Sequence, residues 1–250
     1  MRRLVLVLSV AVLGIFSSTS YGEVLQVDYT GFSVWLDCER RGAVRFRYEI
    51  DKDTGNLGRL HSFKLDKDFP ARCQQTSNKT YSHSSQKYDR GHLVPANHLD
   101  HSKAGIRESN FMTNVMPQAR NMNRGAWLRT EEIIECYRDE EPLLILGGVI
   151  YGDDPKDAED DFFVSSHNIE TPSSFWKVIV AESEAIAWIV PNRNDAKRGT
   201  LDDYLVTIQE LEDELGRTLD QEFDEDLSLS DEQKEMAWEY SWVVSECDLS

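Results

Sequence analysis

The sequence predicts an α+β fold, a mixed and mainly antiparallel sheet with flanking helices, on three observations. Five runs rich in Val, Ile, Phe, Tyr and Trp read as strands, a smaller set with apolar residues at helical intervals reads as helices, and the two kinds do not alternate regularly. A doubly wound sheet needs that alternation, so its absence favours antiparallel pairing.

Residues 24–36 (VLQVDYTGFSVWL) and 43–50 (AVRFRYEI) alternate apolar and polar positions in places and read as strands. Residues 51–87 are polar, with turn signals at Asp53-Thr54-Gly55 and Ser77-Asn78, and read as loops around short elements. Residues 123–138 (NRGAWLRTEEIIECYR) place Ala126, Trp127, Ile133, Ile134 and Tyr137 at roughly helical intervals. Residues 143–151, 174–181 and 185–190 read as central strands, and 191–199 then punctuates the chain. Thr200 is placed to cap a helix over 201–215 that stops at Gly216, and Ser230 to cap one over 231–244. No internal repeat is present.

Residues 1–22 carry two arginines, an apolar run from Leu4 to Phe16 and then small and polar residues, the layout of a cleaved secretory signal. The apolar run falls short of the roughly 20 residues a spanning helix needs. The expectation is a chain exported to the periplasm or the medium, with a main domain over 23–220 and an acidic extension over 221–250. Cys38, Cys73, Cys136 and Cys247 are an even set in such a chain, so two disulfides are expected. Three pairings are possible, and the one adopted joins Cys38 to Cys73 and Cys136 to Cys247.

The formal net charge is -18, but it is distributed unevenly. Residues 151–250 hold 7 basic and 27 acidic side chains, whereas 23–150 hold 18 of each. Within the neutral part, residues 90–129 set Arg90, Lys103, Arg107, Arg120, Arg124 and Arg129 against Asp100 and Glu108, a place where a polyanion could be met. The acidic stretch 153–161 lacks the glycine and closing glutamate of a calcium-binding EF-hand loop and reads as a solvated surface loop.

The chemistry concentrates in YDRGHLVPANH, residues 88–98. On a strand Arg90 and His92 project to the same side, joining a cation to the side chain best suited to take a proton near neutral pH. Downstream, Asn123, Trp127 and Glu131 fall at i, i+4 and i+8 on one helix edge. An asparagine carbonyl suits a hydrated magnesium ion, which keeps most of its waters. Asn110, Asn114 and Gln118 add neutral hydrogen-bonding groups ahead of that helix. The spacing His92-x5-His98-x2-His101 admits a zinc reading that lacks a fourth ligand. Read structurally instead, Trp127 packs the core, Pro117 is a turn residue, and Asn110 and Asn114 are turn or cap asparagines.

DRGH (89–92) and NFMTNVMPQARNMNRGAW (110–127), followed by GGVIYG and TPSSFWKVIV, resemble the DNA/RNA non-specific endonuclease family, the sugar-nonspecific nucleases of the ββα-metal class. The resemblance spans roughly residues 25–220. It implies a ββα-metal site in which His92 is the general base, Asn123 the protein ligand of one Mg²⁺ (Mn²⁺ substituting), and Arg90 a contact to phosphate oxygens. It implies further that Asn110 and Asn114 sit near the histidine, and that Glu131 holds the cation's waters or the arginine. The family's upstream catalytic arginine corresponds to Arg59, with Arg72 as the alternative. The expected substrates are DNA and RNA, cut to 5′-phosphates. A binding module keeping the fold without the activity is the competing class, and the retention of Arg90, His92, Asn114, Asn123 and Glu131 argues against it. The acidic residues 220–226 and the following helix are expected either to solubilise the chain or to lie near the basic window and compete with substrate at low salt.

Overall fold

The computed structural model describes residues 22–82, 87–152 and 163–236. Residues 1–21 of the signal-like segment, His83, the acidic stretch 153–161 and Cys247 lie outside the described residues. The first predicted strand is in fact a hairpin, β1 (Val24–Tyr29) and β2 (Phe32–Asp37), because Gly31 takes φ 88 and turns the chain between them. β3 (Gly42–Ile50) follows, and then the chain leaves the sheet for some ninety residues.

That excursion holds a second, two-stranded sheet, β4 (Tyr88–His92) against β5 (Val115–Ala119), with α1 (Lys103–Ser109) between them. Pro117, read as a turn residue, lies within β5 opposite Arg90. A helical segment follows at once: α2 (Arg120–Met122), a π turn (Asn123–Trp127) and α3 (Leu128–Tyr137). The unit β4–β5–helix is the ββα motif. The chain then returns as β6 (Leu143–Ile150), makes a small hairpin of β7 (Phe163–Val164) and β8 (Ile169–Glu170), and continues as β9 (Ser174–Val180) and β10 (Ala185–Pro191). β11 (Leu205–Val206) closes the edge of an antiparallel sheet ordered β1-β2-β3-β6-β9-β10-β11.

The predicted helix over 201–215 is shorter than expected. Residues Arg198–Tyr204 form a 3-10 turn, and the helix is α4 (Ile208–Leu215), capped by Thr207 with Glu210 completing a capping box. Thr200 therefore caps nothing of α4, while Gly216 ends it in the left-handed region as expected. α5 (Leu219–Phe223) and α6 (Asp231–Glu235) follow; Ser230 caps the second as predicted, but the helix stops at Glu235, where Met236 is extended, and residues 237–244 of the expected helix lie outside the described residues.

Each face of the large sheet is covered, which the period-2 alternation of strands makes possible. On one face Phe46, Tyr48, Phe175, Ile179 and Trp188 pack with Trp127, Ile133 and Ile134 of the helical segment. On the other, Trp35, Val44, Trp176 and Val178 pack with Ile208, Leu211, Leu219 and Phe223. Phe223 meets the rings of Trp35 and Trp176 edge-on, and its neighbour Glu222 pairs with Arg45 and Arg217. The acidic residues 220–226 thus begin on the face of the sheet opposite the ββα unit. A disulfide joins Cys38 to Cys73 as adopted, and Cys136 is also disulfide-bonded.

Candidate active site

Strand alternation on β4 sets Arg90 and His92 on one side, as the sequence predicts, and Phe63 meets both. The Arg90 guanidinium lies 4.1 Å over the Phe63 ring, whose centroid is 5.2 Å from that of His92. Arg90 also donates to the Asn78 carbonyl at 2.8 Å. Between them Gly91 is required by close approach: a Cβ there would meet Gln118 Oε1 at 1.9 Å and Cδ at 2.1 Å. Gln118 is therefore a packing partner of β4 from β5, not a group of the cleft.

A cleft of about 230 Å³ opens beside this strand, lined by Arg59, Arg90, His92, Asn110, Asn123 and Glu131, with Arg124 and Leu60 at its walls. Of the seven side chains singled out from sequence, six meet here. The seventh, Asn114, stands behind the cleft: its Oδ1 accepts from Val94 N at 3.0 Å while Nδ2 donates to the Val94 and Ser109 carbonyls. It latches the chain after β4 to the start of β5. Of the two upstream arginines, Arg59 lines the cleft whereas Arg72 is paired with Glu23.

The hydrogen bonds around His92 define its tautomer. Asn110 Nδ2 donates to the Ile106 carbonyl at 2.9 Å, so its Oδ1, 3.3 Å from His92 Nε2, is left to accept. Nε2 then carries the ring proton and Nδ1 the lone pair. Burial pushes the imidazole down to about 4, against the Asn110 bond that pulls the other way, and the Arg59 and Arg90 charges lower it further. At neutral pH the ring is an unprotonated base.

Asn123 opens the π turn, and its Nδ2 donates to Asp89 Oδ2 at 3.3 Å. Asp89 also holds Arg124 at 2.6 and 3.1 Å. That bond commits the amide nitrogen and leaves the Asn123 carbonyl oxygen for a cation. The π turn corrects the predicted helix edge: its wider i→i+5 winding turns Trp127 wholly into the core while Asn123 and Glu131 face the cleft. Burial raises the Glu131 carboxyl to about 7, with Lys177 and Arg59 opposing the rise and Glu135 and Glu132 adding to it.

The donor set suits a hard cation that keeps several waters: one neutral amide oxygen, one carboxylate nearby and room for water. Zinc is not served. His98 is buried with Nδ1 at 2.7 Å from the Tyr48 hydroxyl and Nε2 at 3.3 Å from the Glu131 carbonyl, so it is engaged away from any cluster with His92 and His101. Among the described residues the one three-membered grouping of potential ligands is Glu23, Cys38 and Cys73, and its cysteines are joined in the disulfide.

Phe63, Asp89 and Lys177 belong to this neighbourhood although sequence reasoning assigned them no role. Asp89 had the signal of sitting next to Arg90 in the motif; for Phe63 and Lys177, distant in the chain, no local pattern exists. The basic window also divides on folding. Arg90 and Arg124 reach the cleft, while Arg107 pairs with Glu108 and Arg129 with Glu132.

The model of the family described as DNA/RNA non-specific endonuclease matches residues 13–226. The nuclease of Serratia marcescens is 29% identical over 181 residues, 68% of this chain and 65% of its own length. The mitochondrial nuclease EXOG of Homo sapiens is 27% identical over 179 residues, 64% of this chain and 47% of its own length. The chain thus spans less than two thirds of the length of these curated relatives. A chain in the crystal structure of the EndoG/EndoGI complex superposes with a TM-score of 0.63 at 22% identity, over 78% of this chain and 85% of that one, a likeness of fold.

Proposed function

Because the chain belongs to the DNA/RNA non-specific endonuclease family, we propose that it hydrolyses phosphodiester bonds of DNA and RNA without reading base sequence. The proposal includes a divalent cation, Mg²⁺ with Mn²⁺ able to substitute, and 5′-phosphate products. The observation that carries it is the convergence of His92, Arg59, Arg90, Asn110, Asn123 and Glu131 on one cleft.

In this mechanism Arg59 and Arg90, which both line the cleft, neutralise the phosphate oxygens as negative charge grows. His92 Nδ1 removes a proton from a water, whose oxygen attacks phosphorus as the bond to the 3′ oxygen breaks, and the departing oxygen takes a proton from solvent water to become the 3′-hydroxyl. Asn110 holds the imidazole in the tautomer that leaves Nδ1 basic. Asn123 and Glu131 would hold the cation, which supplies charge neutralisation at the phosphate and the departing oxygen. Cations that contact only phosphate carry no sequence information, which accounts for cleavage without base preference. An exported setting for the enzyme is supported by the signal-like layout of residues 1–22 together with the Cys38–Cys73 disulfide.

The test is cleavage of plasmid DNA and of RNA by the purified protein with Mg²⁺ and with EDTA, beside His92→Ala. Cleavage of both is expected, abolished by EDTA and reduced about 10²- to 10⁴-fold in the variant. A folded wild-type protein that binds both polymers and cuts neither would refute the enzyme and leave a binding module.

A further inference from the structure

The strand motif SFWKVIV carries a charge that this mechanism leaves unused. Lys177 is 0% exposed at the middle of β9, in register between Gly147 of β6 and Trp188 of β10. Its strand neighbours Phe175 and Ile179 both belong to the apolar core on the ββα side. An ammonium removed from water there is costly unless its surroundings compensate it. Its compensation comes from one stretch of helix. Nζ donates to Thr130 Oγ1 at 2.7 Å and lies 3.8 Å from the centroid of the Trp127 ring, and Glu131 supplies the opposite charge.

Each of those partners leads to the cleft. Trp127 Nε1 donates to the carbonyl of His92 at 3.2 Å, tying the helix to β4. The Thr130 hydroxyl donates in turn to the Trp127 carbonyl at 2.7 Å, so one chain of bonds runs from the lysine to the end of the π turn that Asn123 begins. Glu131, the next residue, lines the cleft itself.

We propose that Lys177 is a positioning residue for hydrolysis: anchored on a central strand, its buried ammonium holds the end of the π turn and the first turn of α3 against β4, so that Glu131 and His92 keep their spacing. The proposal rests on the nuclease reading above. Lys177→Met alone leaves the Glu131 charge without its partner, whereas removing both charges of a buried pair is often neutral or stabilising, so the double variant with Glu131→Gln separates a loss of positioning from a loss of charge balance.

The experiment compares the wild type with Lys177→Met, Thr130→Val, Glu131→Gln and the Lys177→Met/Glu131→Gln double variant. It reads kcat and KM on a defined DNA duplex, Mn²⁺ affinity by calorimetry and thermal unfolding. Lys177→Met is expected to lower kcat roughly 10- to 100-fold, as small displacements of reacting groups do. KM should stay within about twofold, the signature of an interaction that acts on the transition state. Mn²⁺ affinity should fall, and the double variant should lose little more than the worse single one, because the two side chains act as a unit. Wild-type kcat in a folded Lys177→Met overturns the proposal, as does a fall that adds in full to that of Glu131→Gln with Mn²⁺ affinity unchanged. If Lys177→Met does not fold, Thr130→Val decides: a lowered kcat at constant KM supports the proposal and an unchanged kcat overturns it. If the wild type itself cuts nothing, the nuclease reading fails separately. Lys177 is then judged by the His92 imidazole NMR signal in Lys177→Met, which moves if the lysine positions β4 and stays if it does not.

Discussion

His92 and Glu131 both line one cleft, and burial disfavours the charged form of each: it lowers the imidazole, and it raises the carboxyl against the opposing pull of Lys177 and Arg59. For His92 the folded-state value is depressed from 6.5 to about 4. Its contribution to stability is therefore complete above 6.5 and is lost as pH falls toward 4, where the unfolded chain binds the proton first. NMR titration of the ring should show no protonation between pH 8 and about pH 5.5, as a shift of this size requires. For Glu131 the prediction concerns rate. Burial raises the carboxyl against the pull of Lys177 and Arg59, so kcat/KM should fall on acidification at a pH above the ordinary carboxylate range, and Glu131→Gln should lack that limb while having a lower plateau. A limb of equal midpoint in the variant would assign it to another group.

At the scale of elements, β4 and the π turn carry the site, and both depend on close packing. β4 can lie against Gln118 because residue 91 has no side chain. Gly91→Ala must push the strand from β5 or displace Gln118, at a cost of about 1–3 kcal/mol for overpacking. Since Arg90 and His92 flank the position, kcat should fall more than the loss of stability explains. Urea denaturation beside steady-state kinetics separates the two effects. Asn114 does the complementary work from behind, holding Val94 by both its backbone groups so that the chain leaves β4 at one angle.

For the whole molecule, the second core decides what the C-terminal acidic residues do. Phe223 fills a pocket of tryptophans on the sheet face opposite the cleft, and Glu222 and Glu225 are spent on Arg45 and Arg47. A chain truncated after Leu219 should therefore lose stability, by about 3–5 kcal/mol from the phenylalanine alone, with a matching drop in Tm. Its activity should keep the salt dependence of the full chain. A truncated form as stable as the parent but more active at low salt would restore the idea of a tail that competes with substrate.

Some of this was legible in the chain itself. Alternating apolar runs announced the sheet, Gly216 and Ser230 marked helix ends, and the pairing of Arg90 with His92 follows from strand geometry alone, because side chains two apart share a face. The DRGH and NRGAW stretches, in that order along the chain, sufficed to suggest the family by resemblance. The tertiary structure decided the rest. The π turn moved Trp127 off the predicted edge, the Thr207 capping box overrode Thr200, and Arg59 rather than Arg72 entered the cleft. Asn114 became a latch and Lys177 a buried support, because a side chain's role depends on what lies across the core from it. Local pattern records which face a residue takes; only the packing of segments distant in sequence determines what that face meets.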